Sequence, residues 1–247
     1  MVKVNPGFGG ELLFYVMTFA DRVLDFHRQL SPDWDLPEGY ELLFPFSNPD
    51  TWTAMSSFYR GYYADTAPRV FLFGINPGRF GAGVTGVPFT DPVRLAERCG
   101  IDNPFHKRQE LSSVFIYLVV DALGGPAAFY QRYYITSVCP LGFVGNGVNV
   151  NYYDDRQLQS AVEPRIIDNF NTQLPFGSLN REAVCLGRGK NYQYLQGLNE
   201  REGWFERIHP LPHPRWVMQY RRKQMEQFVE EYRRCLEGIW ERGQAGR

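Results

Sequence analysis

The chain has almost no charge imbalance: its 26 Lys and Arg against 27 Asp and Glu leave a formal net charge of -1 over 247 residues. That balance excludes a generally basic nucleic-acid binder and leaves room only for a local positive face. Cysteine is scarce too. Cys99, Cys139, Cys185 and Cys235 lie far apart with no Cys-x-x-Cys pair, a spacing that offers neither a zinc site nor an iron-sulfur cluster. They read as reduced, mostly buried thiols, and neither metal nor cofactor is expected. Long apolar runs are missing as well. The run over 12–20 is interrupted by Thr18 and flanked by Glu11, Asp21 and Arg22, so it reads as a soluble helix rather than a membrane span or signal segment. The expectation is a cytoplasmic protein without a membrane partner. There is no internal repeat, low-complexity tract or linker, and 44% hydrophobic residues suffice for a full core. One domain spanning 1–247 and acting as a monomer is expected, with N-terminal helices over about 8–65 packed on it.

What the chain does have is an unusual loop. Gly74-Ile75-Asn76-Pro77-Gly78-Arg79-Phe80-Gly81-Ala82-Gly83-Val84-Thr85-Gly86-Val87-Pro88-Phe89 concentrates backbone specialists. Its glycines permit positive φ or close backbone approach, while Pro77 and Pro88 fix φ, so the loop should be stiff. It follows an apolar run that reads as a buried parallel strand, and ligands of such sheets bind just past the strand ends. Neither nucleotide fingerprint fits, since no Lys-Ser or Lys-Thr closes a Walker loop and Asn-Pro is foreign to a dinucleotide turn.

Apolar, β-branched or aromatic runs predict strands over 70–75, 133–138, 183–186 and 204–209. Helical periodicity separates them over 111–123, 153–171 and 191–199, with helices over 11–30 and 50–62 leading in. This alternation predicts an α/β fold, a three-layer α/β/α sandwich with right-handed crossovers. The last helix carries Met225, Phe228, Val229, Tyr232, Leu236, Ile239 and Trp240 at spacings of three and four. Arg221, Arg222 and Lys223 fall in its first turns, either as a solvated face or against DNA phosphates. Asp154 and Asp155 read as helix N-caps or a solvated first turn, not as metal ligands. Residues 187–191 open a helix after the third strand, where Lys190 either clamps a phosphate or sits in a plain turn.

Only four histidines occur, and two of them stand in Ile208-His209-Pro210-Leu211-Pro212-His213-Pro214-Arg215 at the end of the fourth strand. This segment should therefore meet the glycine-rich loop at one sheet edge. In the first loop, the form Gly-x-Asn-Pro-Gly-x-Phe-Gly followed by Thr-Gly-Val-Pro-Phe resembles the first motif of the uracil-DNA glycosylase superfamily. Its single-strand-selective monofunctional branch is the most similar. The histidine segment resembles that family's second motif, His-Pro-x-Pro, and Tyr133-Tyr134-Ile135-Thr136-Ser137-Val138-Cys139-Pro140-Leu141 resembles its strand ending in Cys-Pro-Leu.

The resemblance implies a central four-stranded parallel sheet and a monofunctional glycosylase acting on uracil or a related deaminated base in single-stranded or duplex DNA. It implies that Asn76 orients water, that a histidine stabilises the leaving base, and that Gly74, Ile75, Gly78 and Phe89 contact that base. His209 matches the letters of the second motif, whereas His213 sits directly before a helix with Arg215 after it as wedge or phosphate clamp. His213 is the catalytic candidate here and His209 the second contact. Where the branch normally has an asparagine reading the uracil edge, this chain has Ser137, one shorter and rotating hydroxyl. That departure widens the substrate to xanthine or hypoxanthine. Asn146, Asn149 and Asn151 are alternative sources of the missing amide. Without a lysine nucleophile no strand cutting is expected. Two other functions remain open, a non-catalytic damaged-base binder and a hydrolase of free nucleosides.

Overall fold

A computed structural model describes residues 2–4 and 14–246 of the chain. The strands are β1 (Val2–Val4), β2 (Phe14–Val16), β3 (Tyr40–Leu43), β4 (Arg69–Gly74), β5 (Tyr133–Ser137), β6 (Gly142–Gly145), β7 (Val148–Val150), β8 (Ser178–Leu186) and β9 (Arg207–Leu211). The α-helices are α1 (Phe19–Gln29), α2 (Pro49–Tyr62), α3 (Ala82–Thr85), α4 (Pro92–Glu97), α5 (Leu111–Ala122), α6 (Gly125–Arg132), α7 (Arg156–Gln173), α8 (Lys190–Glu202), α9 (Pro214–Tyr220) and α10 (Met225–Ala245).

Four parallel strands form the central sheet in the order β5-β4-β8-β9. Its two faces follow from the period-2 alternation of side chains. Phe71 and Tyr134, opposite each other in register, both meet Phe19 of α1 edge-on. Phe73 stacks on Phe170 of α7 at 4.6 Å. Tyr133, one residue out of phase, points the other way and meets Trp240 of α10. Helices thus cover both faces, giving the expected three-layer α/β/α sandwich. Tyr232, Leu236 and Ile239 are the α10 positions fully removed from solvent.

Helix ends follow local chemistry. Thr18 and Asp21 form a reciprocal capping box at the start of α1. Asp155 caps α7, as its position suggested. The helix expected over 11–30 begins only at Phe19, because Phe14–Val16 pairs antiparallel with Val2–Val4. The part over 11–13, like the stretch from 8 in the N-terminal packing expected above, lies outside the described residues. Trp204, expected on the fourth strand, instead stacks on Phe170 at 4.2 Å.

A second sheet was not anticipated. β3, β6 and β7 form an antiparallel ribbon, in which Asn146 (φ 50) and Gly147 (φ 73) turn the β6–β7 hairpin. Positive φ at both central residues is the signature of the primed turn that matches strand twist. Asn146 is thereby spent on backbone geometry. The final helix is also divided: α9 ends at Tyr220, a 3-10 turn covers Arg222–Gln224, and α10 starts at Met225. All four cysteines are free thiols, Cys139 and Cys185 buried and Cys99 and Cys235 half-buried. Among the described residues no single helix is long and apolar enough to cross a membrane.

Candidate active site

The loops that leave β4, β5, β8 and β9 enclose a pocket of about 610 Å3 at the carboxyl edge of the parallel sheet. Asn76 stands in its wall two residues past β4. Its amide is held at both ends, with Nδ2 donating to the Val150 carbonyl at 3.2 Å and Oδ1 accepting from the Tyr152 backbone N–H at 3.1 Å. The β6–β7 ribbon therefore fixes the catalytic candidate. The same ribbon braces the loop from behind, because Gly142 lies so close to the Pro77 carbonyl that any Cβ there would collide with it. A Cβ on Gly83 would likewise come within 2.7 Å of the Gly78 carbonyl. The stiffness read from composition is realised as backbone-on-backbone packing.

Phe89 lines the pocket in a left-handed conformation, φ 53, which a bulky residue adopts only when its surroundings hold it there. Ser113 Oγ–H anchors it by donating to the Phe89 carbonyl at 2.8 Å. Gly74 does not line the pocket. It serves the Phe89 ring instead, since a Cβ at Gly74 would lie 2.8 Å from Phe89 Cε2. Ile75, Gly78 and Ser137 do line the pocket. Ser137 ends β5 with its side chain buried, while its carbonyl accepts from Asn169 Nδ2 at 3.1 Å.

The structure separates the two histidines. His213 faces the pocket, its ring 6.1 Å from that of Phe89. It caps α9 through Nδ1, which accepts the Arg215 backbone N–H at 3.2 Å. Burial first, and the Arg215 charge second, push its imidazole down to about 4. It is neutral near pH 7, and an Nδ1 used as acceptor leaves the proton on Nε2, free to donate. His209 is a correction to the expectation of a substrate contact. It lies outside the pocket lining, with Nε2 bonded to Glu182 at 2.6 Å. Glu182 also accepts two bonds from Arg242, at 2.8 Å each. An alternating strand sends His209 to this ion cluster, while the turn after Pro212 sends His213 inward.

Lys190 and Arg215 reach the pocket wall, whereas Arg221 and Arg222 do not. The break between α9 and α10 carries those two past the rim, where the Arg221 guanidinium lies 5.1 Å from the Trp216 ring. Of the three candidate amides, Asn149 and Asn151 line the pocket. Asn151 Nδ2 donates to Asp154 at 2.9 Å, and Asn149 Oδ1 accepts the Arg79 backbone N–H at 3.3 Å.

Several lining residues carry no sequence signal. Trp216, Gln219 and Tyr220 project from α9, with Trp216 39% and Tyr220 65% exposed. Their spacing along α9 was the available clue. Glu110 is the least expected. It precedes α5 after an irregular segment, its backbone N–H donates to buried Asp91 at 2.9 Å, and its carboxyl packs against Gly78 and Gly81. Burial chiefly, then Asp91, raise this carboxyl to about 7 against the opposing pull of Arg215 and Arg108. Among the described residues no group of three or more His, Cys, Asp or Glu could hold a metal ion.

The geometry can be set beside known proteins. Residues 60–237 match the model of the uracil DNA glycosylase superfamily. The crystal structure of wild-type Pedobacter heparinus SMUG2 superposes with a TM-score of 0.87 at 41% identity, covering 91% of this chain and 99% of that one. A comparison with curated proteins finds no match. A family match over most of the chain, on a fold that brings the Asn-Pro loop and His213 to one pocket, shows that this chain belongs to the uracil-DNA glycosylase superfamily, DNA-acting hydrolases, on the side of its single-strand-selective monofunctional branch.

Proposed function

We propose that the protein is a monofunctional glycosylase that hydrolyses the N-glycosidic bond of uracil or a related deaminated base, xanthine or hypoxanthine, leaving an abasic site. It acts as a cytoplasmic monomer on single-stranded or duplex DNA. The observation that carries this reading is one pocket in which a doubly tethered Asn76, a neutral His213 donor and the Phe89 ring converge.

A base inside a helix is out of reach, so the nucleotide must turn out of the stack into the pocket. Phe89 then offers a ring face for stacking, worth roughly 1–3 kcal/mol per base. Asn76 cannot titrate and does not act as a general base. Its Oδ1 keeps one lone pair to align a water beneath the sugar, which directs the reaction toward departure of the base as an anion. His213 Nε2–H stabilises the charge growing on the leaving base. One preorganised donor of this kind is typically worth about 2.7–4 kcal/mol.

Ser137 bears on the choice of base. Its hydroxyl supplies one donor or acceptor where an amide would supply a planar pair, so the penalty against bases other than uracil is small. Ser137→Asn should shift relative rates toward uracil by roughly 10-fold, the equivalent of about 1–3 kcal/mol for a buried polar mismatch. The primary test is base release from single- and double-stranded oligonucleotides bearing uracil, xanthine or hypoxanthine, scored by alkali cleavage of abasic sites. Asn76→Ala should reduce release roughly 100-fold or more. Lesion binding without abasic product from any substrate would overturn the glycosylase reading.

A further inference from the structure

Beside the base pocket lies a second cavity, of about 400 Å3, and the two share Glu110, Ser112, Asn149 and Arg215 as a common wall. Its size falls within the range of small-ligand sites. Arg79, Arg108 and Arg215 all line it. Several arginines elsewhere pair with carboxylates, as in Arg69–Asp65, Arg98–Asp121, Arg188–Glu231, Arg201–Glu163 and Arg242–Glu182. Around this cavity Arg108 and Arg215 act on one carboxyl, that of Glu110 in the shared wall, from beyond ion-pair distance. A chain with a net charge of -1 has thus gathered three arginines against a single carboxyl beside the pocket.

Two of those groups are also preorganised. The Arg108 guanidinium lies 3.6 Å from the centre of the Phe80 ring and that of Arg79 lies 4.8 Å from it. Arg79 Nη1 donates to the Gly147 carbonyl at 2.5 Å, while its buried Nε has no hydrogen-bond partner among the described residues. A guanidinium held against an aromatic face keeps its planar fork of N–H groups free at the edge, the geometry that grips a phosphate through two oxygens.

We propose that this second cavity binds the phosphodiester and adjoining nucleotide on one side of the extruded nucleotide, with Arg108 and Arg79, seated on Phe80, as the phosphate clamp. The inference rests on the glycosylase reading and adds to it a strand path that leaves the base pocket past Arg215.

The test measures affinity for single-stranded oligonucleotides carrying a non-cleavable tetrahydrofuran abasic site placed internally, at the 5′ end or at the 3′ end, over a series of salt concentrations. For the wild type, removing the nucleotides on one side only should weaken binding about 10-fold or more. Arg108→Ala should lose that dependence, and its log Kd against log salt slope should be shallower by about 0.7, the increment for one phosphate contact on a single strand. Arg108→Glu should weaken binding further, while Arg60→Ala, a charge removed from exposed α2, should keep the wild-type slope. An Arg108→Ala protein that melts like the wild type and retains both its slope and its sensitivity to truncation would overturn the proposal. Base release from an internal lesion by the wild type is scored separately, so loss of the clamp and loss of the glycosylase reading give different results.

Discussion

Glu110 carries a cost that the site tolerates. Its carboxyl is raised to about 7 in the fold, so it stays protonated below that value although it would ionise near 4.5 in the unfolded chain. Stability from a raised carboxyl is complete below the unfolded value and is lost as pH climbs through the folded one. Glu110→Gln, which keeps the shape and removes the titration, should therefore stabilise the protein at pH 8 by on the order of 3 kcal/mol relative to its effect at pH 4. Chemical denaturation of both proteins at the two pH values checks this, and an equal effect at both would show that the carboxyl titrates in the fold as it does in the unfolded chain. His213 is lowered to about 4 and makes the complementary statement about the reaction. Its donor is neutral, so base release should show no rise between pH 5 and 7 of the kind that loss of a histidine proton would produce. A step in rate near 6.5 that disappears in His213→Gln would contradict the neutral-donor role.

The ribbon of β3, β6 and β7 behaves as a splint for the first loop. Because Gly142 sits against the Pro77 carbonyl, Gly142→Ala should push the loop off Val150 and Tyr152. Activity should fall at least 10-fold through misplacement of Asn76, with little change in the parallel sheet. Rates set beside circular dichroism would separate that outcome from global unfolding. Elements with strong local signals were readable from sequence. The apolar runs of β4 and β5, the periodic stretch of α5 and the Asn-Pro-Gly loop each declare themselves within a few residues. The ribbon did not, since β3 and β7 are short and its clearest mark, Asn146-Gly147, lies within a polar stretch that reads as loop. The break between α9 and α10 was equally silent, because residues 220–224 contain no proline or glycine to interrupt the helical pattern. Glu110 reaches the pocket through tertiary placement alone. The two histidines show the same limit in reverse: their letters fit either register, and only the strand alternation that turns His209 toward Glu182 decides between them.

One buried histidine, one half-buried histidine and one half-buried carboxyl shape the acid response of the whole molecule. His27 is lowered to about 4 by burial among the rings of Phe26, Phe46 and Tyr59, and His213 matches it. A histidine with a depressed folded value is neutral in both states above about 6.5, and below that it favours the unfolded chain until its folded value is reached. Glu110 pulls the other way between about 4.5 and 7. Folding stability should therefore fall by about 1 kcal/mol per pH unit from 6.5 to 4.5. His27→Gln should nearly flatten that window, as urea titrations at several pH values would reveal. The tether between Asn76 and β7 spans 74 residues of chain and has an implication of its own. The Val150 carbonyl faces residue 76 and demands a proton from it, which an ionised aspartate cannot supply. An ionised carboxylate at this position would keep the Tyr152 N–H but lose the Val150 bond and face that carbonyl oxygen instead. The backbone of a neighbouring sheet thus favours the amide over its nearly identical acid.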